Sequence, residues 1–233
     1  IVVSDAAHRY VTQNYPDVDP ARLVTIPRGI DPDWYYPGYR PSEAWRAIFA
    51  SSFPNCQGKK LLVLPGRLTR LKGQAVFIDL IDRLVNQLDL PVHGLIVGGE
   101  DPKRAGYAQE LYAAVESRQL TNAITFTGAR DDIRDIFAEA DLVLSLSTQP
   151  ESFGRTVLEA LSLGRPVVGY DHGGVSDILA ELYPSGAVEL NDFEGLVDTV
   201  AQQLAGSNKP KPNTLFLRQR MLGQTLTTYQ ELI

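Results

Sequence analysis

The sequence predicts an α/β fold, a doubly wound parallel sheet with helices on both faces. Three observations lead there. From about Leu61 onward, short apolar runs alternate with longer amphipathic stretches, the order expected of βαβ units around a parallel sheet. The short runs are rich in Val, Ile and Leu and stop at Gly, Pro or polar residues, as strands buried on both faces do. The longer stretches repeat their apolar residues at three- and four-residue spacing, which gives each helix one buried stripe.

Element by element, strands are expected at Leu61–Pro65, Val92–Val97, Ala123–Thr127, Leu142–Ser147 and Pro166–Tyr170, with a weaker sixth at Gly186–Leu190. Crossover helices are expected at Lys72–Leu88, Arg104–Leu120, Asp131–Ala138, Gly154–Leu163, Val175–Leu182 and Asp192–Leu204. Right-handed crossovers place the C-terminal ends of all these strands on one edge, where doubly wound folds bind ligands. Residues 1–58 read differently: a strand-like Ile1–Val3, a helix Ser4–Asn14, a strand Leu23–Ile26, then a Pro- and aromatic-rich stretch. Together they look like the remnant of a preceding domain and a linker. The βαβ run then fills residues 59–208. In the last part, residues 209–233, Lys209-Pro210-Lys211-Pro212 breaks the pattern and Asn213 is expected to cap a final helix running to Leu232.

Composition sets bounds on function. A chain of 233 residues, 44% hydrophobic and 21% charged, can bury a core, and no apolar run approaches the roughly 20 residues that span a bilayer. The net charge of −6 argues against nucleic-acid binding, which calls for a clustered cationic surface, so any anionic ligand must be held locally. A single cysteine, Cys56, cannot form an internal disulfide and fits a reducing compartment such as the cytoplasm. The chain starts at Ile1 with no Met, basic n-region or h-region, and is expected to be a fragment of a longer protein.

Three segments carry candidate chemistry, each directly after a strand. In Gln149-Pro150-Glu151-Ser152-Phe153-Gly154-Arg155-Thr156-Val157-Leu158-Glu159, Glu151 falls in the edge loop, Gly154 opens a helix, and Glu159 lies a little over one turn inside it. The free amides near Arg155, Thr156 and Val157 would offer donors and a positive dipole end to a phosphate. The plain alternative is a solvated loop carboxylate followed by an exposed helix glutamate. In Gly66-Arg67-Leu68-Thr69-Arg70-Leu71-Lys72-Gly73, Arg67 can fork two hydrogen bonds to phosphate oxygens and Lys72 can supply a point charge, while the glycines allow close approach. Alone it would read equally as a basic surface loop, and its spacing is not that of a Walker loop. In Asp171-His172-Gly173-Gly174-Val175-Ser176-Asp177, paired glycines make an anion-receptive turn, with Ser176 and Asp177 near enough to the edge to touch a ligand; a simple tight turn competes. His8, His93 and His172 do not sit in a metal-ligand spacing, and no metal site is expected.

The order of these motifs resembles the retaining glycosyltransferase family four of the GT-B fold, over nearly the whole chain. Ile26-Pro27-Arg28-Gly29-Ile30-Asp31 resembles the family's passage between domains. The resemblance implies a Rossmann-like domain that forms the C-terminal, nucleotide-sugar-binding half of such an enzyme. It implies that Arg67 and Lys72 hold the donor diphosphate, that Glu159 binds the ribose hydroxyls, and that Glu151 faces the transferred sugar and its developing oxocarbenium charge. Gly128-Ala129-Arg130 is the implied nucleobase edge, through backbone contacts. Gly66, Phe153, Gly154, Arg155, Thr156, Val157, Gly173 and Gly174 complete the implied donor site. Two residues depart from the family pattern: Arg28 replaces the usual Asn, and Asp177 replaces the usual Glu, one methylene longer, so that a direct sugar contact is lost or water-bridged.

The implied reaction moves a hexosyl group from a nucleoside diphosphate sugar, UDP or GDP foremost, to a glycan or lipid-linked acceptor of lipopolysaccharide or polysaccharide type. No cofactor is implied, and cations with helix amides stand in for a metal. The acceptor would be held by the absent N-terminal domain, with the whole protein cytoplasmic and peripherally associated with the inner face of a membrane. A sugar-nucleotide epimerase or phosphorylase, or a non-catalytic nucleotide-sugar-binding module, is the competing reading on the same fold.

Overall fold

The computed structural model describes residues 1–101, 105–206 and 208–231. Its centre is a six-stranded, all-parallel sheet formed by β1 (Lys60–Pro65), β2 (Val92–Val97), β3 (Ile124–Phe126), β4 (Leu142–Ser145), β5 (Val167–Tyr170) and β6 (Ala187–Val188). The strand order is β3-β2-β1-β4-β5-β6. Winding therefore reverses between β1 and β4, and the crevice at their C-terminal ends is the topological switch point where such sheets place ligands.

The strands are mostly apolar because helices cover both faces, with His93 and Ser145 as buried polar exceptions. Along β1 the side chains alternate: Leu62 and Leu64 enter one core cluster, Leu61 and Val63 the other. The first cluster is covered by α3 (Gln74–Asp82), α4 (Ala105–Ser117) and α8 (Phe193–Ala205). The second is covered by α5 (Ile133–Glu139), α6 (Arg155–Ser162) and α7 (Gly173–Leu182). Two helices lie outside this scheme, α1 (Asp5–Asn14) and α9 (Arg218–Gln230), neither of which has a fully buried residue. No helix among the described residues is long and apolar enough to cross a membrane.

The elements follow the sequence reading with local corrections. The predicted helix from Lys72 to Leu88 is broken: Arg70–Lys72 is a 3-10 turn, Gly73 is left-handed at φ 73°, and after Asp82 the chain widens into a π-helical turn, Arg83–Gln87. The stretch read as linker contains a ten-residue helix, α2 (Glu43–Ser52), capped by Ser42 and packed through Phe49 onto the second cluster. Ile1–Val3 and Leu23–Ile26 meet in one parallel bridge, Val2 to Thr25, with no further ladder. Asn213 does not cap the final helix. Its Oδ1 accepts from Phe216 N at 2.9 Å, closing a turn, and the helix begins only at Arg218. Arg104 and Leu232, the expected ends of two helices, lie outside the described residues.

Candidate functional site

The loops after β1 and β4 touch at the switch point. Gly73 makes this possible: a Cβ there would lie 2.1 Å from the Leu146 carbonyl oxygen, so any other residue would drive the loops apart. Thr148 N donates to Leu71 O at 2.8 Å, joining them further. Lys72 and Glu151 are thereby brought together although 79 residues separate them. Lys72 Nζ lies 2.7 Å from Glu151 Oε1, and Ser147 Oγ donates to the same oxygen. Burial would raise the Glu151 carboxyl, but hydrogen bonds from Lys72 and Ser147 and the Lys72 charge outweigh it, holding the group below its ordinary value. Arg67 is exposed on the same edge, and its backbone carbonyl accepts from the buried Gln74 side chain at 2.9 Å.

Gly154, left-handed at φ 99°, turns the chain into α6. The first intrahelical donor is Leu158 N, to Gly154 O, so the amides of Arg155, Thr156 and Val157 precede the helical ladder. Glu159 is 4% exposed and is engaged by Arg155, whose Nε lies 2.8 Å from Oε1. Tyr35 faces the same carboxylate; burial, then Glu159, push its hydroxyl up to about 12. Tyr35 and Arg155 also line, with Arg28 and Arg218, a cavity of about 530 Å³. Arg28, the departure noted in sequence, thus sits beside the Arg155–Glu159 pair.

Several expectations need correction. Phe153 is buried, edge-on to Phe216 with centroids 6.0 Å apart, so its ring belongs chiefly to the core, although the residue also lines the cavity beside Tyr35 and Arg155. Gly174 N donates to Glu151 O at 2.7 Å and is not a free anion donor. The paired glycines serve close packing: a Cβ on Gly173 would meet Glu151 O at 2.6 Å, and one on Gly174 would meet Phe153 Cα at 2.4 Å. Asp177 is engaged within the fold, where its Oδ2 accepts Ala6 N at 2.9 Å, while Ser176 Oγ donates to Asp171. Gly128, Ala129 and Arg130 lie after β3, two strands from β1, joined to the β2 loop by a bridge from Gly98 to Gly128. The Arg130 guanidinium is bound to Asp132, with Nε 2.8 Å from Oδ1, so backbone is what that loop offers. Ser147 and Tyr35 were not anticipated. Ser147 ends a predicted strand and Tyr35 lies in an aromatic stretch, and nothing local distinguishes either from a structural residue.

The chain is an α/β protein with a doubly wound sheet, and a lysine, an arginine, a helix N-terminus and two carboxylates lie at its switch point, where such sheets place ligands. The profile of the glycosyl transferases group 1 family matches residues 48–213, and the chain belongs to that family. Its relatives include a D-inositol 3-phosphate glycosyltransferase from Corynebacterium urealyticum, 29% identical over 90% of this chain and 49% of that protein. The lipopolysaccharide core biosynthesis mannosyltransferase LpsB of Rhizobium meliloti is 30% identical over 76% of this chain and 49% of that protein. The chain thus spans about half the length of these relatives. A glycosyltransferase from Rickettsia africae has a similar structure, with TM-score 0.83 and 20% identity, covering 98% of this chain and 62% of that one. So has Anabaena Alr3699/HepE in complex with UDP and glucose, with TM-score 0.75 and 21% identity, covering 99% and 60%. Both likenesses bear on the fold, which is that of GT-B glycosyltransferases.

Proposed function

We propose that this chain is the donor-binding half of a retaining glycosyltransferase, which moves a hexosyl group from a UDP- or GDP-linked sugar to a glycan or lipid-linked acceptor. The observation that carries this is the meeting of Lys72, Arg67, the free α6 amides and Glu151 at one switch-point edge. A diphosphate arriving there takes over the Lys72 ammonium and gains the Arg67 fork and the helix amides. Glu151, released from Lys72, accepts a sugar hydroxyl and stabilises positive charge as the glycosidic bond breaks. Glu159, turned from Arg155, accepts the ribose hydroxyls. The leaving nucleotide is stabilised by fixed cations and dipoles, with no metal.

In this reading residues 59–208 are the donor-binding unit, and residues 1–58 and 209–233 connect it to an acceptor-binding domain. The chain alone then binds donor without transferring it, because the entropic gain from a positioned acceptor is missing. The relationship to LpsB supports an acceptor of lipopolysaccharide type, and with it a cytoplasmic protein working at the inner face of a membrane. The test is a thermal-stability screen of the chain against UDP-, GDP- and ADP-sugars. At least one must raise the midpoint, since a ligand bound only by the folded state stabilises it. Absence of any shift at millimolar ligand refutes the reading.

A further inference from the structure

Two successive carbonyls in the loop that carries Glu151 are gripped from outside that loop. Glu151 O accepts Gly174 N at the start of α7, at 2.7 Å. Ser152 O accepts Ser4 Oγ, at 2.6 Å. Ser4 is only 3% exposed, although it caps a helix with no fully buried residue. The same hydroxyl accepts Ala7 N at 2.9 Å, so it donates to the loop and caps α1 at once. Alanine in its place would leave both partners unpaired.

The helix is itself anchored to α7. Asp177 Oδ2 accepts Ala6 N at 2.9 Å, and Arg9 Nη2 lies 3.4 Å from Asp177 Oδ1. A carboxylate there satisfies a first-turn amide and complements the positive end of the helix. Loop, α1 and α7 thus close a ring: α7 holds the loop by Gly174 and holds α1 by Asp177, and α1 holds the loop by Ser4. The side chains that meet Glu151, those of Lys72 and Ser147, come from the βαβ run, whereas Ser4 comes from a segment that precedes it by more than fifty residues.

We infer that Ser4 is a positioning residue for Glu151, fixing the loop so that the carboxylate meets Lys72 and Ser147, with Asp177 keeping α1 where Ser4 can reach. The consequence for ligands rests on the proposed reading of Glu151 as the group that faces the transferred sugar. Asp177 then belongs to the support of the sugar site rather than to its surface, and the shorter side chain suits a helix cap.

The test uses the whole 233-residue chain with Ser4→Ala, Asp177→Ala and the hydroxyl-retaining Ser4→Thr. Hydrogen exchange of the amides in residues 151–154 should quicken about five- to tenfold in both alanine variants, as expected for losing one buried hydrogen bond, with the sheet unchanged. In calorimetric titrations, Ser4→Ala should lower affinity for UDP-glucose about fivefold while leaving UDP nearly unchanged, and Ser4→Thr should restore it. Unchanged loop exchange, or equal losses for both ligands, overturns the inference. Glu151→Gln is the control: if it fails to separate UDP-glucose from UDP while loop exchange still quickens in Ser4→Ala, the sugar-facing reading of Glu151 falls and the clamp stands.

Discussion

Lys72 is the most informative single perturbation, because its ammonium is already engaged when no ligand is bound. It lies 2.7 Å from Glu151, with side-chain exposures of 35% and 26%. A charge-assisted hydrogen bond to phosphate is worth about 1.5–3 kcal/mol. The exchange of one anionic partner for another sets the net gain at the lower end, about 1.5 kcal/mol or roughly tenfold in affinity. Lys72→Met has a second effect, since it leaves the Glu151 charge facing the diphosphate. Two like charges about 4 Å apart repel by roughly 1–4 kcal/mol, depending on how much water screens them. The single variant should therefore lose well over tenfold for UDP or GDP and little for uridine or guanosine. Lys72→Met combined with Glu151→Gln should bind the diphosphate better than Lys72→Met alone, a non-additivity that a double-mutant cycle reads directly. Isothermal titration of the four ligands against wild type, both single variants and the double variant is the assay. Equal losses for nucleoside and diphosphate, or a double variant that binds no better than Lys72→Met, refute the assignment of Lys72 to phosphate.

Glu159→Ala should impair nucleoside and diphosphate alike, by about tenfold, because ribose is common to both; a loss confined to the diphosphate would contradict the ribose role. Nucleotide affinity should change less than about tenfold on adding EDTA, and a larger drop would mean that a divalent ion shares the site. Gly73→Ala should destabilise the chain by more than about 2 kcal/mol in urea melts, since it combines a left-handed φ with a Cβ 2.1 Å from the Leu146 carbonyl; a neutral result would mean the two loops do not pack as described. His93 is fully buried, and burial together with the Lys59 charge holds its imidazole down to about 4. The unfolded chain takes that proton near 6.5, so it binds more protons than the folded chain and stability falls as pH drops from there towards 4, by on the order of 3 kcal/mol. In His93→Gln that part of the acid sensitivity should vanish, and an identical pH profile would refute it.

The five main strands were legible because a strand covered on both faces is a near-continuous apolar run, which few other elements of that length share. Strand order was not, since periodicity carries no information about which strand lies beside which. The reversal between β1 and β4 appears only once Leu62 is seen to pair with both Gly94 and Leu142. The helix Glu43–Ser52 escaped although Trp45, Ile48 and Phe49 recur at helical spacing, because the stretch around it is rich in prolines and aromatics. Its trace in the sequence was Pro41-Ser42-Glu43, a helix-start signal masked by surrounding prolines and aromatics. Asn213 shows the converse error, since a residue that suits a cap suits a turn equally well.

At the site, residue types and their shared edge could be read, but not their partners. Several of the charged groups at this edge are paired with one another: Lys72 with Glu151, Glu159 with Arg155, and Arg130 with Asp132, whereas Arg67 is exposed. The pairs fit a partly buried crevice, where an unpaired charge is costly. In the proposed reading a diphosphate takes Lys72 over from Glu151 and adds the exposed Arg67, so binding is in part an exchange of partners. The glycines follow the same logic from the other side. Gly73, Gly173 and Gly174 were read as room for a ligand, yet each is filled by backbone of the neighbouring loop. Their smallness draws the β1, β4 and β5 loops together until Lys72, Ser147 and Glu151 can meet, so the glycines act on the ligand only through the charges they bring into register.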